Sequence, residues 1–333
     1  MKYTWLSLVL MICMSGQTVN AQQFQATAHT EAAITEHAQQ RMHLVDFKQM
    51  KKTENRPIVA VVLGSGGARG YAHIGVLQVL EQAGVKPDFI VGTSAGSIVG
   101  AIYASGKNAD ELRDIALNMK PNDVRDVTIA KKGFLEGLKV EEFVNKQVNQ
   151  TPLQDLPIPM YVVATELQHG KRTVFNYGDT GQAVRASVAI PSMFIPTKIA
   201  DEEYVDGGLV SPVPVDVARE LGADIVIAVD ILAQPQHTET NNVWGLFNQN
   251  INIMQNHLAK QELQHADVVI QPDIREKAHI FDVKGRESTM QAGMDAATAQ
   301  MNQLVRVYQQ KKFPKPLLLQ AQQLSFPSMN SQQ

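Results

Sequence analysis

Two strand–helix units follow each other directly between residues 57 and 104, and few folds are compatible with this pattern. The apolar run 58–63 contains three valines and is typical of a strand buried on both faces. The segment 68–83 after it is apolar on most sides of a helix, which is typical of a buried helix. A short strand, Phe89–Val91, then leads into a helix of small residues, Ala95–Ala104. Strands joined through helices pair in parallel, so the sequence predicts an α/β domain with a mainly parallel central sheet.

Further elements are predicted along the rest of the chain from apolar periodicity. The predicted strands span 160–165, 172–175, 204–205, 225–229 and 268–270. The predicted helices span 108–119, 140–148, 180–189, 214–221, 243–265 and 287–311. Because no linker, internal repeat or change of composition interrupts 57–311, we expect one domain there, preceded by a peripheral segment at 22–56 and followed by a tail at 312–333.

The N-terminus has the pattern of a secretory signal. Lys2 precedes the apolar run Trp5–Met14, and small residues up to Ala21 precede Gln22. About ten apolar residues are too few for a membrane-spanning helix, which needs roughly 20. The sequence therefore predicts a signal peptide at 1–21, export to the periplasm or the extracellular space, and no transmembrane segment after cleavage.

Composition excludes several classes of function. The 333 residues carry a formal net charge of −3 and no dense stripe of lysine and arginine, which argues against nucleic-acid binding. The only cysteine, Cys13, lies in the predicted signal, so disulfide and cysteine chemistry are not expected in the mature chain. The nine histidines form no metal-ligand spacing, and we expect neither a metal nor a cofactor.

The pentapeptide Gly92-Thr93-Ser94-Ala95-Gly96 fits a nucleophile elbow. In such an elbow, small flanking residues let the chain turn sharply from a strand into a helix, so that the serine hydroxyl projects outward. The predicted strand before Ser94 and the predicted helix after it match this context. The pattern alone would also suit a serine that caps a helix.

The loop Gly64–Gly70 lies between the first predicted strand and its helix, where exposed amides at a helix N-terminus favour an anion. A phosphate-binding P-loop would need a Gly-Lys-Ser/Thr ending, which is missing, and the dinucleotide pattern fits only with Ser65 in place of its first glycine. The other anion such a loop could bind is the transient oxyanion of an acylated serine.

The combination of three motifs resembles bacterial, secreted members of the patatin-like phospholipase family. Ser65-Gly66-Gly67-Ala68-Arg69-Gly70 matches the family's glycine-rich loop, Gly92–Gly96 its elbow, and Asp206-Gly207-Gly208 its Asp-Gly-Gly motif. The stretch 186–191, which ends at Pro191, is also similar. The resemblance implies a three-layer α/β/α patatin-like fold.

The resemblance also implies the chemistry. Ser94 and Asp206 would form a catalytic dyad without histidine, acting through an acyl-enzyme. The amides around Gly66 and Gly67, with Ala68 and Arg69 in the same loop, would form the oxyanion hole. The implied substrate is a phospholipid or lysophospholipid at a membrane or micelle surface. Ser65, Gly70, Gly92, Gly96, Pro191, Gly207 and Gly208 would support these motifs.

Other interpretations remain open at this point. Asp230 follows a predicted strand and could replace Asp206 as the base, and His73 lies close to the glycine-rich loop. An α/β-hydrolase would use a Ser-Asp-His triad, with a base such as His237, His257, His265 or His279. A non-catalytic lipid-binding protein and a nucleotide-binding module are the remaining alternatives.

Overall fold

The computed structural model of the protein describes residues 45–130, 132–232, 234–235, 240–274 and 285–311. The predicted signal peptide at 1–21, residues 22–44 of the predicted N-terminal segment and the predicted tail at 312–333 lie outside these ranges. His237 and His279 also lie outside them.

The strands form one large sheet and one hairpin. The sheet contains β1 (Val59–Leu63), β2 (Phe89–Thr93), β5 (Met160–Glu166), β6 (Arg172–Phe175), β7 (Thr197–Ile199), β8 (Glu202–Asp206), β9 (Ile225–Val229) and β10 (Val268–Ile270). Its order is β10-β9-β1-β2-β5-β8-β7, and β6 also pairs with β5. The hairpin consists of β3 (Val127–Ala130) and β4 (Gly133–Leu135). The predictions missed this hairpin and β7.

Helices connect and flank these strands. They are α1 (Phe47–Glu54), α2 (Tyr71–Gln82), α3 (Ala95–Ala104), α4 (Ala109–Asn118), α5 (Leu138–Gln147), α6 (Thr180–Val188), α7 (Val215–Glu220), α8 (Val243–Glu262) and α9 (Arg286–Gln310). The sequence did not predict α1, whose buried Phe47 stacks on Phe89 with ring centroids 4.4 Å apart. No helix within the described ranges is both long and apolar enough to cross a membrane.

The centre of the sheet is parallel, as predicted. Strands β10, β9, β1, β2 and β5 all pair in parallel, whereas β6 and β8 pair antiparallel with β5, and β7 pairs antiparallel with β8. Every residue of β1, β2, β5 and β9 is buried, which requires helices on both faces of the sheet. The predicted α/β fold with a mainly parallel central sheet flanked by helices is therefore confirmed.

Two strands meet end to end along one edge of β5. The last residue of β2, Thr93, pairs in parallel with Val163, and the last residue of β8, Asp206, pairs antiparallel with Ala164. Because β6 occupies the opposite edge at both positions, β2 and β8 share the same edge and their carboxyl ends face each other. This arrangement brings residue 94, at the turn after β2, next to Asp206.

Candidate active site

Ser94 occupies a strained turn between β2 and α3. Its φ of 53° and ψ of −120° belong to a region that glycine adopts easily and other residues rarely do. The turn is tight enough that a Cβ on Gly96 would lie 2.0 Å from the carbonyl oxygen of Leu63, and a Cβ on Gly92 would lie 2.7 Å from that of Gly96. The two glycines therefore let α3 start directly against β1 and β2.

Ser94 and Asp206 form a direct hydrogen bond inside the protein. The Ser94 hydroxyl donates to Oδ2 of Asp206 over 2.6 Å, and the Gly208 N–H donates to Oδ1 over 2.7 Å. Backbone contacts hold Asp206 as well: its N–H donates to the Ala189 carbonyl, and its carbonyl accepts from the Thr165 hydroxyl. Both side chains are buried, so the contact is screened from bulk water.

The environment of Asp206 makes its carboxylate a stronger base than usual. Burial raises the pKa of Asp206 to about 6, while the hydrogen bonds from Ser94 and Gly208 partly oppose that shift. Burial disfavours the charged form, and no cation is among the groups that shift this pKa. At neutral pH the group is thus mostly ionised yet has a raised affinity for a proton.

Ser187, on α6, holds the backbone of the strained turn. Its hydroxyl accepts the N–H of Ser94 over 2.8 Å and donates to the carbonyl of Val163 over 2.6 Å. The side chain is fully buried. The sequence marks Ser187 only as part of the stretch 186–191 and predicts no role for it. Nothing in its spacing indicates a partner 93 residues away.

The glycine-rich loop forms a short 3-10 turn, Gly67–Gly70, ahead of α2. Gly67 has a φ of 59°, which favours glycine, and a Cβ on Gly66 would lie 2.7 Å from Ile231. The N–H of Ser65 donates to Pro212, whereas the N–H groups of Gly66, Gly67 and Ala68 donate to no acceptor in the described part of the chain. These three amides remain available to a ligand.

Arg69 anchors that loop to the adjacent strand end. Its Nε donates to the carbonyl of Ile231 over 2.8 Å. Burial lowers the pKa of Arg69 to about 10, and the charge of Asp230 opposes this shift. In the structure Arg69 thus contacts the chain after β9, and it is not among the residues that line the cavity beside Ser94.

The remaining motif residues lie close to Ser94, to Asp206 or to the strand that joins them. A Cβ on Gly70 would lie 3.0 Å from the Cβ of Ala95, the residue after Ser94. A Cβ on Gly207 would lie 2.2 Å from the Val163 carbonyl oxygen, and one on Gly208 would lie 2.4 Å from Gln255. Pro191 follows α6, two residues beyond the Ala189 carbonyl that binds Asp206.

Within the described ranges, Asp230, His73 and His265 form hydrogen bonds elsewhere and none with Ser94. Asp230 accepts from the Leu232 N–H and from the Gln271 side chain. His73 is fully buried with Nε2 2.8 Å from the Gly64 carbonyl oxygen, and burial lowers its pKa to about 4, so the ring is neutral and donates that bond. His265 pairs with Asp216 at an exposed position.

An apolar cavity of about 160 Å³ opens beside Ser94. Gly67 and Ala68 of the glycine-rich loop line it together with Ser94. The rest of its lining is almost entirely apolar and comes mainly from α2–α5 and from the stretch that follows α6. A hydroxyl and the glycine-rich loop thus line an apolar space, and a buried carboxylate accepts the hydrogen bond of that hydroxyl.

The patatin-like phospholipase family model matches residues 61–219, a range that includes Ser94, Asp206 and the glycine-rich loop. Over this range the chain is thus similar to the patatin-like phospholipase family. Within this range, the elbow and the Asp-Gly-Gly motif are the two segments that meet on strand β5.

Curated relatives are similar to part of the chain at moderate identity. An uncharacterized NTE family protein of Mycobacterium tuberculosis is 38% identical over 178 residues, which is 53% of this chain and 49% of the relative. The human patatin-like phospholipase domain-containing protein 6 is 32% identical over 199 residues, which is 57% of this chain and 14% of that protein. The chain thus spans about half the length of the mycobacterial relative and a small part of the human one.

The fold also occurs in a solved structure. VipD from Legionella pneumophila superposes with a TM-score of 0.50 at 13% identity, over 73% of this chain and 66% of VipD. At this identity the likeness concerns the fold only.

Proposed function

We propose that this protein is a serine hydrolase that cleaves carboxylic ester bonds of lipids, as a phospholipase A or lysophospholipase does. The observation that carries the proposal is the 2.6 Å hydrogen bond between Asp206 and Ser94, a residue that lines an apolar cavity. The family match supports the same class of activity. The substrate would be a phospholipid or lysophospholipid at a membrane or micelle surface, and neither a metal nor a cofactor takes part.

The proposed reaction begins at the Ser94 hydroxyl. As Ser94 Oγ attacks the ester carbonyl carbon, its proton passes to Oδ2 of Asp206, and the carbonyl oxygen becomes an oxyanion. The C–O bond to the alcohol then breaks, and the leaving oxygen takes the proton from Asp206. Water attacks the acyl-enzyme in the second half, again giving its proton to Asp206, and the fatty acid leaves as Ser94 regains its hydrogen.

Oxyanion stabilisation would come from the glycine-rich loop. A carboxylate with a pKa of about 6 remains a weak base for a hydroxyl, so much of the rate must come from stabilising the tetrahedral oxyanion. The N–H groups of Gly66, Gly67 and Ala68 are the donors we assign to this task. Arg69 would contribute by fixing the loop through Ile231 and by its positive charge. The N–H of Ser94 is already bonded to Ser187.

The apolar cavity suits the acyl part of a lipid. Its lining offers few polar groups to an alcohol or headgroup, whereas burial of each methylene there contributes about 0.8 kcal/mol. Export is part of the proposal as well, because residues 1–21 carry the pattern of a signal peptide. The protein would then act in the periplasm or outside the cell.

The alternatives are less well supported. One strand and one intervening helix, β1 and α2, precede β2 within residues 57–94, whereas an α/β-hydrolase places several strands before its elbow. His73 and His265, with their partners described above, contact neither Ser94 nor Asp206. A purely lipid-binding protein would not need the raised proton affinity of Asp206. A nucleotide-binding module would not need an elbow serine on the adjacent strand.

The test is product analysis on a mixed lipid extract. Mass spectrometry should detect free fatty acids and deacylated lipids with the wild-type protein and not with Ser94→Ala. Equal product formation by the two proteins would refute the proposal. Identification of the deacylated lipids would also give the headgroup that the enzyme prefers.

A further inference from the structure

The apolar cavity beside Ser94 shares three of its lining residues with a second space. Ile115 on α4, Met119 at the end of α4 and Phe143 on α5 line the cavity, and the same three residues line a groove of about 510 Å³. Ser94 and the glycine-rich loop line only the cavity. We call these three side chains the partition.

The groove beyond the partition differs from the cavity in polarity. Its other lining residues are all polar or charged: Asp114, Asn118, Asp123, Glu142, Lys146 and Gln147. An acyl chain that passed the partition would leave an apolar space and enter one with three carboxylates. Burial of methylene groups stabilises a bound chain only where the surroundings are apolar, so the partition marks the end of the favourable region.

The partition is held in place from the α4 side. The guanidinium of Arg286 donates to the carbonyls of Ala116, Leu117 and Met119 over 2.7, 2.9 and 2.7 Å. These contacts satisfy carbonyl groups at the end of α4 that the helix itself leaves unpaired. Arg286 also lies 5.5 Å from the centroid of the Tyr71 ring, which lines the cavity. The backbone that carries Met119 is therefore fixed to α9.

The cavity volume sets a length for the chain it can hold. A protein cavity of roughly 150 Å³ accommodates benzene, which has six carbons. The cavity beside Ser94 has about 160 Å³, so it holds about six carbons of an acyl group attached to the serine.

We propose that the partition of Ile115, Met119 and Phe143 limits the part of an acyl group that the cavity buries to about six carbons, so that carbons beyond the sixth add nothing to the rate. This inference rests on the proposed function, because it assumes an acyl group on Ser94. A longer acyl group gains no further burial, because the carbons beyond the sixth must displace the partition or remain outside the cavity. The partition acts on specificity and takes no part in the bond-making steps.

The test is a series of monomeric p-nitrophenyl esters with butanoyl, hexanoyl, octanoyl and decanoyl groups, each kept below the concentration at which it aggregates. For the wild-type protein, kcat/KM should rise about fourfold per carbon up to hexanoyl and then stop rising. Phe143→Ala leaves the volume of its ring as apolar space beside Ile115 and Met119, where further acyl carbons can be buried, and should increase the ratio of decanoyl to hexanoyl turnover at least tenfold. Ile115→Phe fills part of the cavity, so kcat/KM should stop rising at a shorter acyl group, near butanoyl.

The matched control is Phe134→Ala, because Phe134 is 65% exposed on β4 and lines neither space. It should keep the wild-type length profile. If Phe143→Ala does not fold, as judged by circular dichroism, Met119→Ala opens the same partition and replaces it. A wild-type rate that climbs steadily to decanoyl, or folded partition variants with an unchanged profile, would overturn the inference.

The ester series distinguishes an error in the proposed function from an error in the proposed role of the partition. If the proposed function is wrong, the wild-type protein and Ser94→Ala would hydrolyse every ester at the same rate, and the inference would fall with the function. If turnover requires Ser94 but the acyl-length profile is the same in the wild type and in the partition variants, the proposed function is retained and only the role of the partition is refuted.

Discussion

The hydroxyl of Ser94 lies 2.6 Å from Oδ2 of Asp206, although 112 residues separate the two in the chain. The pairing of Thr93 and Asp206 with consecutive residues of β5 produces this contact. The backbone of a buried sheet is rigid, so the distance depends on strand register rather than on flexible side chains. A proposed dyad built in this way is positioned before any substrate binds.

The pH dependence of activity should follow Asp206. Because burial raises the pKa of this carboxyl group to about 6, its base form is lost as the pH falls through that value. We expect kcat/KM for a soluble ester to fall about tenfold per pH unit well below 6 and to be level from about 7 to 8.5. His265→Gln serves as the control and should keep the same profile. A rate that stays level down to pH 4 would contradict the assignment.

Replacing Asp206 by asparagine should stabilise the folded protein at high pH while abolishing activity. The folded-state pKa is raised, so ionisation of Asp206 reduces the free energy of unfolding as the pH rises from about 4 through about 6. At pH 8 the neutral amide avoids this cost, and we expect Asp206→Asn to be more stable by about 1–3 kcal/mol.

Urea unfolding of both proteins at pH 8 and at pH 4 measures this difference. At pH 4 the wild-type carboxyl group is mostly protonated, so the two proteins should differ little. Equal differences at both pH values would mean that the charge of Asp206 does not cause the change.

The strained backbone of Ser94 should be visible in stability measurements. Ser94→Gly and Ser94→Ala both remove the hydroxyl, but only glycine adopts φ 53° and ψ −120° without strain. We expect the glycine variant to be more stable than the alanine variant by about 1 kcal/mol. Ala299→Gly, at an exposed position inside α9, is the control and should be destabilised by about 1 kcal/mol. If Ser94→Gly were less stable than Ser94→Ala, the backbone of Ser94 would not be strained.

Ser187 should matter for turnover more than for substrate binding. In Ser187→Ala, the Ser94 N–H and the Val163 carbonyl both lose a buried partner, which costs about 1–3 kcal/mol of stability. Because the elbow would lose one of its fixed contacts, kcat should fall about tenfold or more while KM changes little. Ser105→Ala removes a hydrogen bond to Ile102 away from the site and should leave both constants unchanged. An unchanged kcat in folded Ser187→Ala would exclude this positioning role.

Much of the fold could be predicted from local sequence patterns. The predicted strands at 172–175, 225–229 and 268–270 coincide with β6, β9 and β10, because each is a short run with strong strand propensity. The hairpin of β3 and β4 could not be predicted in this way. It is short and partly exposed, with Val127 at 77% exposure, so it carries no clear apolar alternation. The order of the strands depends on contacts between distant segments, which periodicity does not record.

The candidate site was predictable only in part. The sequence resemblance selected Ser94 and Asp206, and the structure places them in contact. Two hydrogen bonds could not be predicted, since each joins residues far apart in the chain. One runs from the Ser94 N–H to the Ser187 hydroxyl, and the other from the Arg69 side chain to the Ile231 carbonyl. The same holds for the partition, because Ile115 and Phe143 lie on helices whose apolar faces look like ordinary core positions.

Covalent labelling with a fluorophosphonate, followed by peptide mass spectrometry, tests the central claim most directly. The predicted result is a single adduct on the peptide that contains Ser94 in the native protein, with no adduct in Ser94→Ala or after heat denaturation. Labelling of Asp206→Asn should be slower than that of the wild type by about a hundredfold or more, because Asp206 accepts the serine proton. An adduct on a different serine, or equal labelling rates for the wild type and Asp206→Asn, would contradict the account.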